Sequence, residues 1–139
     1  TKRDKFSSHP KEYYQKLLDF FSNTSEIRTK LFLAYYADKP VAGLILLTYK
    51  GVGYYLHGAS DYEHRSLMAP YLLHWSVIQF LKKEGFENYD LWGIDPRHWP
   101  GVTRFKLGWG GRTVEHPGSF DQTISWWWHL MYKIGRRIL

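Results

Sequence analysis

The chain has no cysteine among its 139 residues. That absence excludes a disulfide framework, a thiolate zinc site and a cysteine nucleophile, and it fits a reducing cytosol. Long apolar runs are missing too. The longest, residues 41–47, falls far short of the roughly 20 residues that a membrane-spanning helix requires. Lys2, Arg3 and Lys5 make the N-terminus basic, but no apolar core segment follows them as it would in a signal peptide. The chain begins at Thr1 without an initiator Met, which suggests a piece excised from something longer. It shows neither an internal repeat nor a low-complexity tract.

Aromatic rings and positive charge are plentiful. The 7 Trp, 11 Tyr and 8 Phe exclude intrinsic disorder, because disordered chains are poor in aromatics. The length suits one compact domain, able to bury roughly two-thirds of its unfolded surface. A formal net charge of +6 favours an anionic partner such as nucleic acid, a nucleotide phosphate or anionic lipid. A merely well-solvated surface is the plain alternative.

Pro10 follows the polar run Ser7-Ser8-His9 and sits where a first helical turn accepts it. Tyr14, Leu17, Leu18 and Phe21 then recur at helical spacing. They predict an amphipathic helix to about Asn23, with Tyr13 on the flank of its apolar stripe. Strands are expected at 31–36, 41–49 and 54–58, with turns at Asp38-Lys39-Pro40 and Lys50-Gly51. Such short connections make antiparallel neighbours, and the unbroken apolar run of the second strand suits burial on both faces.

Ser60-Asp61-Tyr62-Glu63 reads as a capping box. It would open a helix to about Glu84, stopped by Gly85, with Leu67, Tyr71, Trp75, Ile78 and Leu81 along one face. Residues 88–93 read as a strand, parallel to the one before the helix because strand, helix, strand is a crossover. The loop Asp95-Pro96-Arg97-His98-Trp99-Pro100-Gly101 follows, at the strand end where α/β sheets usually hold ligands. After residues 102–107 and Gly108-Trp109-Gly110-Gly111, a last strand is expected at 112–116. Residues 122–139 predict a helix carrying Trp126, Trp127, Trp128 and Met131, with Lys133, Arg136 and Arg137 behind them. This order is that of an α+β acetyltransferase (GNAT)-like fold, a mixed and mostly antiparallel sheet with flanking helices. Residues 1–121 would form that unit, and 122–139 a helix packed on it or on a missing partner.

Acetyltransferases of this kind hold the coenzyme A pyrophosphate with an Arg/Gln-x-x-Gly-x-Gly/Ala loop at the start of the long helix, where backbone N–H groups receive the phosphates. The equivalent stretch here is Arg65-Ser66-Leu67-Met68-Ala69-Pro70. It lacks both glycines, and Pro70 has no N–H. Acetyl-coenzyme A in the standard mode is disfavoured, and no cofactor is implied.

The runs Thr1-Lys2-Arg3-Asp4, His9-Pro10-Lys11-Glu12-Tyr13, His57-Gly58-Ala59-Ser60, Tyr89-Asp90-Leu91-Trp92-Gly93-Ile94 and Arg104-Phe105-Lys106-Leu107-Gly108-Trp109-Gly110-Gly111 together resemble the Fem family. These are the non-ribosomal peptidyltransferases that add amino acids from aminoacyl-tRNA to peptidoglycan precursors. The resemblance runs from residue 1 to about 120. Family members carry two acetyltransferase-like subdomains and this chain resembles the second, which implies a missing N-terminal subdomain as a partner.

The resemblance implies roles for particular residues. Phe105 and Lys106 match a pair in the family's catalytic channel, where the lysine supports the reacting aminoacyl ester; an ammonium there would stabilise the negative charge that builds on oxygen. An ordinary exposed helix lysine is the other reading of Lys106. Tyr13 matches a tyrosine that contacts the precursor's diphosphate, His9 stands where the family has a companion arginine, and His57 where it has another substrate-side tyrosine. Histidine for arginine turns a permanent phosphate grip into a pH-dependent one, so a nucleotide-linked and a lipid-linked precursor both stay open. Solvated or core positions are the plain readings of His9 and His57. Arg104 joins the substrate side through its motif.

Other readings come from the residues themselves. No metal site stands out: His64 and His74 lie ~15 Å apart along one expected helix. Asp90 reads as a residue pointing off a short strand, or as a general acid/base group. Asp95 reads as a turn residue, or as a group that accepts a proton or holds the acceptor amine. The tail's Trp126, Trp127 and Trp128 beside Lys133, Arg136 and Arg137 suit the headgroup region of a membrane, or a docking helix. The function expected is aminoacyl transfer from aminoacyl-tRNA to a peptidoglycan precursor amine, as one half of an enzyme in the cytoplasm, with peripheral contact at the inner face of the plasma membrane left open. The alternatives are an acetyl-coenzyme A-dependent N-acetyltransferase and a non-catalytic module that binds a membrane or a partner.

Overall fold

A computed structural model describes residues 8–22, 26–118 and 122–138. Thr1-Lys2-Arg3-Asp4, the expected helix end at Asn23, residue 120 and the side chain of Arg137 lie outside the described residues. Two compact units divide after Trp109.

The first unit runs α1 (Lys11–Ser22), β1 (Ile27–Tyr36), β2 (Lys39–Tyr49), β3 (Val52–Ser60), α2 (Ala69–Lys83), β4 (Asn88–Asp90) and α3 (Pro100–Leu107). The strands form one sheet in the order β1-β2-β3-β4. The first three are an antiparallel meander, and β4 pairs parallel to β3 through Val52 with Asn88 and Tyr54 with Asp90. Both hairpins close with two residues at positive φ, Ala37 with Asp38 and Lys50 with Gly51. That geometry matches the right-handed twist of the strands. The first turn therefore falls one residue earlier than the Asp38-Lys39-Pro40 cluster predicts.

Alternation along β1 assigns the helices to opposite faces. Phe32 meets Phe80 of α2, whereas the Thr29 hydroxyl donates to the Leu18 carbonyl of α1. The core lies between the sheet and α2, built from Ala34, Val41, Ala42, Leu44, Leu46, Ala69, Leu73, Val77 and Leu81. Leu46 and Val77 are fully buried, a burial that stabilises by about 1.5–3 kcal/mol for each such side chain.

The start of α2 corrects the sequence reading. Ser60 stays in the β3 ladder opposite Ala42, so it cannot cap a helix, and the Ser60/Glu63 capping box does not form. Asp61 instead closes a turn, accepting the Glu63 N–H at 3.0 Å and meeting His64 Nδ1 at 2.8 Å. A short 3-10 turn (Arg65–Leu67) and left-handed Met68 follow, and α2 begins only at Ala69. The buried face shifts accordingly to Ala69, Leu73, His74, Val77 and Leu81. Of the expected stripe only Leu81 is buried, while Leu67, Tyr71 and Trp75 are exposed and Ile78 is half-buried. At the other end, Gly85 takes the positive φ that terminates α2 as expected.

In the second unit, residues 111–118 form no strand, against expectation. Arg112-Thr113-Val114-Glu115-His116 offers one apolar side chain, and Val114 is itself exposed, so no face exists to bury. α4 (Trp126–Ile138) is a helix on which Trp126, Trp127 and Trp128 are all exposed. No helix among the described residues is long and apolar enough to cross a membrane.

Candidate active site

β3 pairs Leu46 with Tyr55 but Ile45 with His57, leaving Leu56 without a partner of its own. One inserted residue breaks the alternation of a strand. Tyr55 and His57 would share a face in a regular strand; here they turn to different helices. The Tyr55 ring meets His74 of α2 at 4.5 Å, and the His57 ring meets Tyr14 of α1 at 5.3 Å. Two groups of candidate side chains result, one on each face of the sheet.

The group on the α1 face unites three residues expected on the substrate side. His9 stacks on Tyr13 at 4.1 Å, and Tyr13 Oη lies 3.4 Å from His57 Nε2. The His9 backbone N–H donates to Tyr14 Oη at 3.3 Å. Burial, with the charge of His9 adding to it, holds His57 below its ordinary pKa. Its neutral ring keeps one nitrogen as donor and one as acceptor.

On the α2 face the centre is His74, 1% exposed. Its Nδ1 lies 2.9 Å from Tyr89 Oη on β4, and Phe105 and Trp109 pack on its ring at 5.2 and 5.7 Å. Burial, then the charge of Lys106, push His74 down to about 4, so the imidazole is neutral. Burial also raises the phenol pKa of Tyr89 and of Tyr55, which keeps both protonated. The Tyr55 hydroxyl reaches over position 58 because glycine stands there; a Cβ would collide with it.

Lys106, on α3, leans over this group. Its Nζ donates to the Gly93 carbonyl at 2.7 Å and stands 5.6 Å from the centroid of the Tyr55 ring, within cation–π range. Burial lowers its pKa, opposed by the charge of Asp90. The ammonium borders a cleft of about 370 Å³ lined by Trp92, Gly93, Ile94, Asp95, Trp99, Val102, Thr103 and Lys106. Phe105 diverges from its neighbour: it packs on Tyr71 at 4.8 Å and on His74 and takes no part in lining that cleft. Arg104 is exposed on α3.

Asp95 lines the cleft, yet its carboxylate is engaged in closing the loop. It accepts the N–H groups of Arg97 and His98 at 2.9 and 3.0 Å and meets His98 Nδ1 at 2.7 Å. The His98 N–H foremost, with these other bonds, pulls it below the ordinary carboxylate range. This is the turn residue of the sequence reading, and a weak proton acceptor. At the start of α2, Pro70 occupies one of the first two helical positions, which leaves one backbone N–H fewer for a phosphate. Among the described residues no three His, Asp or Glu side chains are arranged to hold a metal ion.

Residues 28–136 match the profile of the FemAB family. The chain belongs to that family. Among similar proteins, the lipid II:glycine glycyltransferase of Staphylococcus saprophyticus is 29% identical over 91 residues, covering 61% of this chain and 22% of that protein. The aminoacyltransferase FemB of Staphylococcus epidermidis is 30% identical over 76 residues, covering 51% and 18%. This FemAB chain thus spans about a quarter or less of the length of such relatives. Among solved structures, an aminoglycoside 6′-N-acetyltransferase of Acinetobacter haemolyticus superposes with a TM-score of 0.54 at 17% identity, covering 88% of each chain. A metagenomic aminoglycoside acetyltransferase gives 0.53 at 22% identity, covering 87% of this chain and 78% of that one. The fold is acetyltransferase-like, as the element order predicts.

Sequence reasoning missed Tyr55, His74 and Tyr89 as parts of a site. His74 was weighed only as a metal ligand beside His64. Its place one residue after Leu73, in the 69/73/77 apolar rhythm of α2, was the available signal for a buried polar group.

Proposed function

We propose that this FemAB chain is part of an aminoacyltransferase that moves an amino acid from an aminoacyl-tRNA to an amine of a peptidoglycan precursor. Lys106 carries the reading: a half-buried ammonium, tied to the Gly93 carbonyl at 2.7 Å, at the edge of a walled cleft. The names of the staphylococcal relatives support the acceptor class.

In this reaction the lone pair of the acceptor amine attacks the ester carbonyl carbon, and a C–N bond forms as negative charge builds on the carbonyl oxygen. Collapse of the adduct breaks the bond to the ribose oxygen, and the proton lost by the amine ends on that oxygen. Lys106 Nζ has hydrogen-bonding capacity beyond its bond to Gly93 and stabilises the developing oxyanion, a contribution worth about 2.7–4 kcal/mol where a single donor of this kind has been removed. Phe105 supports α3 from below rather than walling the channel. Tyr13, His9 and His57 hold the acceptor's diphosphate, whether lipid- or nucleotide-linked, with Arg104 adding surface charge. Asp95 shapes the cleft. On α4, the exposed Trp126, Trp127 and Trp128 with Lys133 and Arg136 suit peripheral contact with an anionic membrane face.

The test is Lys106→Ala in the protein that carries this chain, assayed for transfer of labelled glycine from glycyl-tRNA to lipid II in vesicles. A loss of about 100-fold or more in kcat, with thermal unfolding unchanged, is expected. Undiminished transfer overturns the role. An acetyl-coenzyme A-dependent reaction is the rival that the fold itself favours, and micromolar binding of coenzyme A by calorimetry would restore it.

A further inference from the structure

The strand end that feeds the cleft is strained. Trp92 has a φ of +66°, a left-handed conformation that a bulky side chain adopts only when its surroundings impose it. What imposes it is visible. The Asp90 carboxylate, two residues back, accepts the Trp92 backbone N–H at 2.7 Å, and Tyr54 packs edge-on to the indole at 6.0 Å. The next residue is Gly93, whose carbonyl accepts the Lys106 ammonium, also at 2.7 Å. Asp90 is anchored at the other end by the ladder, where it pairs with Tyr54.

From this chain of contacts we infer that Asp90 is a positioning residue for Lys106. Its carboxylate holds Trp92 in a left-handed turn, and that turn aims the Gly93 carbonyl at the ammonium. The sequence run Asp90-Leu91-Trp92-Gly93 thereby acquires a mechanical meaning: the acid sets the backbone, and the backbone sets the lysine. Tyr55 bounds the ammonium from the sheet side, so the carbonyl and the ring together fix its place. Besides the charge it exerts on Lys106, Asp90 acts through Trp92 and Gly93 and need not touch a substrate. Why Lys106 matters rests on the proposed transfer reaction; where Lys106 sits does not.

The experiment therefore reads the lysine directly. Nitrogen-15 and carbon-13 NMR of the side-chain ε positions, with the Lys106 signal assigned from its loss in Lys106→Ala, compares the wild-type chain with Asp90→Asn, Asp90→Ala and Asp90→Ala/Trp92→Gly. Asparagine keeps the acceptor oxygen and removes only the charge that acts on the Lys106 pKa, so at a pH where the ammonium is fully protonated Asp90→Asn should leave the signal near its wild-type position. Asp90→Ala should move it to that of the solvent-exposed lysines. Glycine adopts the left-handed turn unaided, so the double variant should bring the signal back. In the transfer assay Asp90→Ala should lower kcat by about 100-fold, the effect of a misplacement near 1 Å, with KM nearly unchanged.

An unmoved signal in Asp90→Ala overturns the inference. Equal displacement in Asp90→Asn and Asp90→Ala also overturns it, because charge rather than backbone geometry would then be responsible. Should Asp90→Ala not fold, the double variant decides: a wild-type signal supports the role and a solvent-like one ends it. Absence of transfer in the wild-type protein would defeat the proposed reaction while leaving the NMR outcome to stand or fall by itself.

Discussion

His74 Nδ1 and Tyr89 Oη lie 2.9 Å apart, joining the middle of α2 to the shortest strand of the sheet. β4 contributes three residues to the ladder, so this buried contact is a substantial part of what holds the strand end, and with it the cleft, against the helix. His74 is neutral because its folded pKa is about 4 against an ordinary 6.5. Between these values the unfolded chain takes up a proton that the folded chain refuses. Stability therefore falls as pH drops from 6.5 to 4 and levels off below. The gap corresponds to about 3 kcal/mol. Urea unfolding of His74→Gln across this window should show a flatter pH dependence than wild type. Equal slopes would show that another group governs the acid side.

Gly58 should not tolerate a methyl group. In Gly58→Ala the new Cβ meets the Tyr55 phenol, and overpacking of this kind costs about 1–3 kcal/mol. Gly101, in the first turn of α3, has open space at the same position, so Gly101→Ala should be neutral or stabilising by up to about 1 kcal/mol. Denaturant midpoints of the two variants provide the comparison. Similar midpoints would mean that Tyr55 moves freely.

The α1-face group should affect the acceptor and spare the donor. Tyr13→Phe and His57→Gln each break the 3.4 Å contact. We expect the KM for a lipid II acceptor to rise about 5- to 10-fold while kcat and the KM for aminoacyl-tRNA stay close to wild type. Tyr13 is exposed, so stability should change by no more than about 0.5 kcal/mol. A parallel rise in the donor KM would remove the division of labour between the two faces.

Replacing Trp126, Trp127 and Trp128 together by Ser tests the helix α4. Sedimentation with anionic vesicles should carry the wild-type chain and leave the triple variant in solution. Added salt should weaken wild-type binding as the basic residues are screened. Identical sedimentation of both would leave the tryptophans without a membrane role.

Much of the fold was legible because its signals are local. The 14/17/18/21 spacing marks α1, the two-residue loops enforce the meander, and the crossover rule makes β4 parallel. What was not legible depends on competition between neighbours. Ser60 has the chemistry of a helix cap, but the β3 ladder claims it, and no local pattern reveals which demand wins. The 112–116 segment looked like a strand from its residue types, yet pairing needs an apolar face that it lacks. In the site, the motifs singled out Lys106, Tyr13, His9 and His57. Asp90 was dismissed as pointing off a strand because its function is carried by a hydrogen bond to a backbone whose strain no sequence displays. Tyr55 and His74 escaped notice because the bulge that turns Tyr55 away from His57 leaves no mark in the residue types.

That bulge also decides which changes β3 can absorb. Substituting Leu56 leaves the count of residues between Tyr55 and His57 intact. Were Leu56 instead to take Ile45 as its partner, the slip would act like a frameshift written in geometry: every later residue of the strand trades faces, so His57 leaves α1 and the space beside Tyr55 is no longer guarded by a glycine. Both groups would be lost in a single step, though neither had been altered chemically. A slip of the pairing register, more than any single substitution, is what this strand has to exclude.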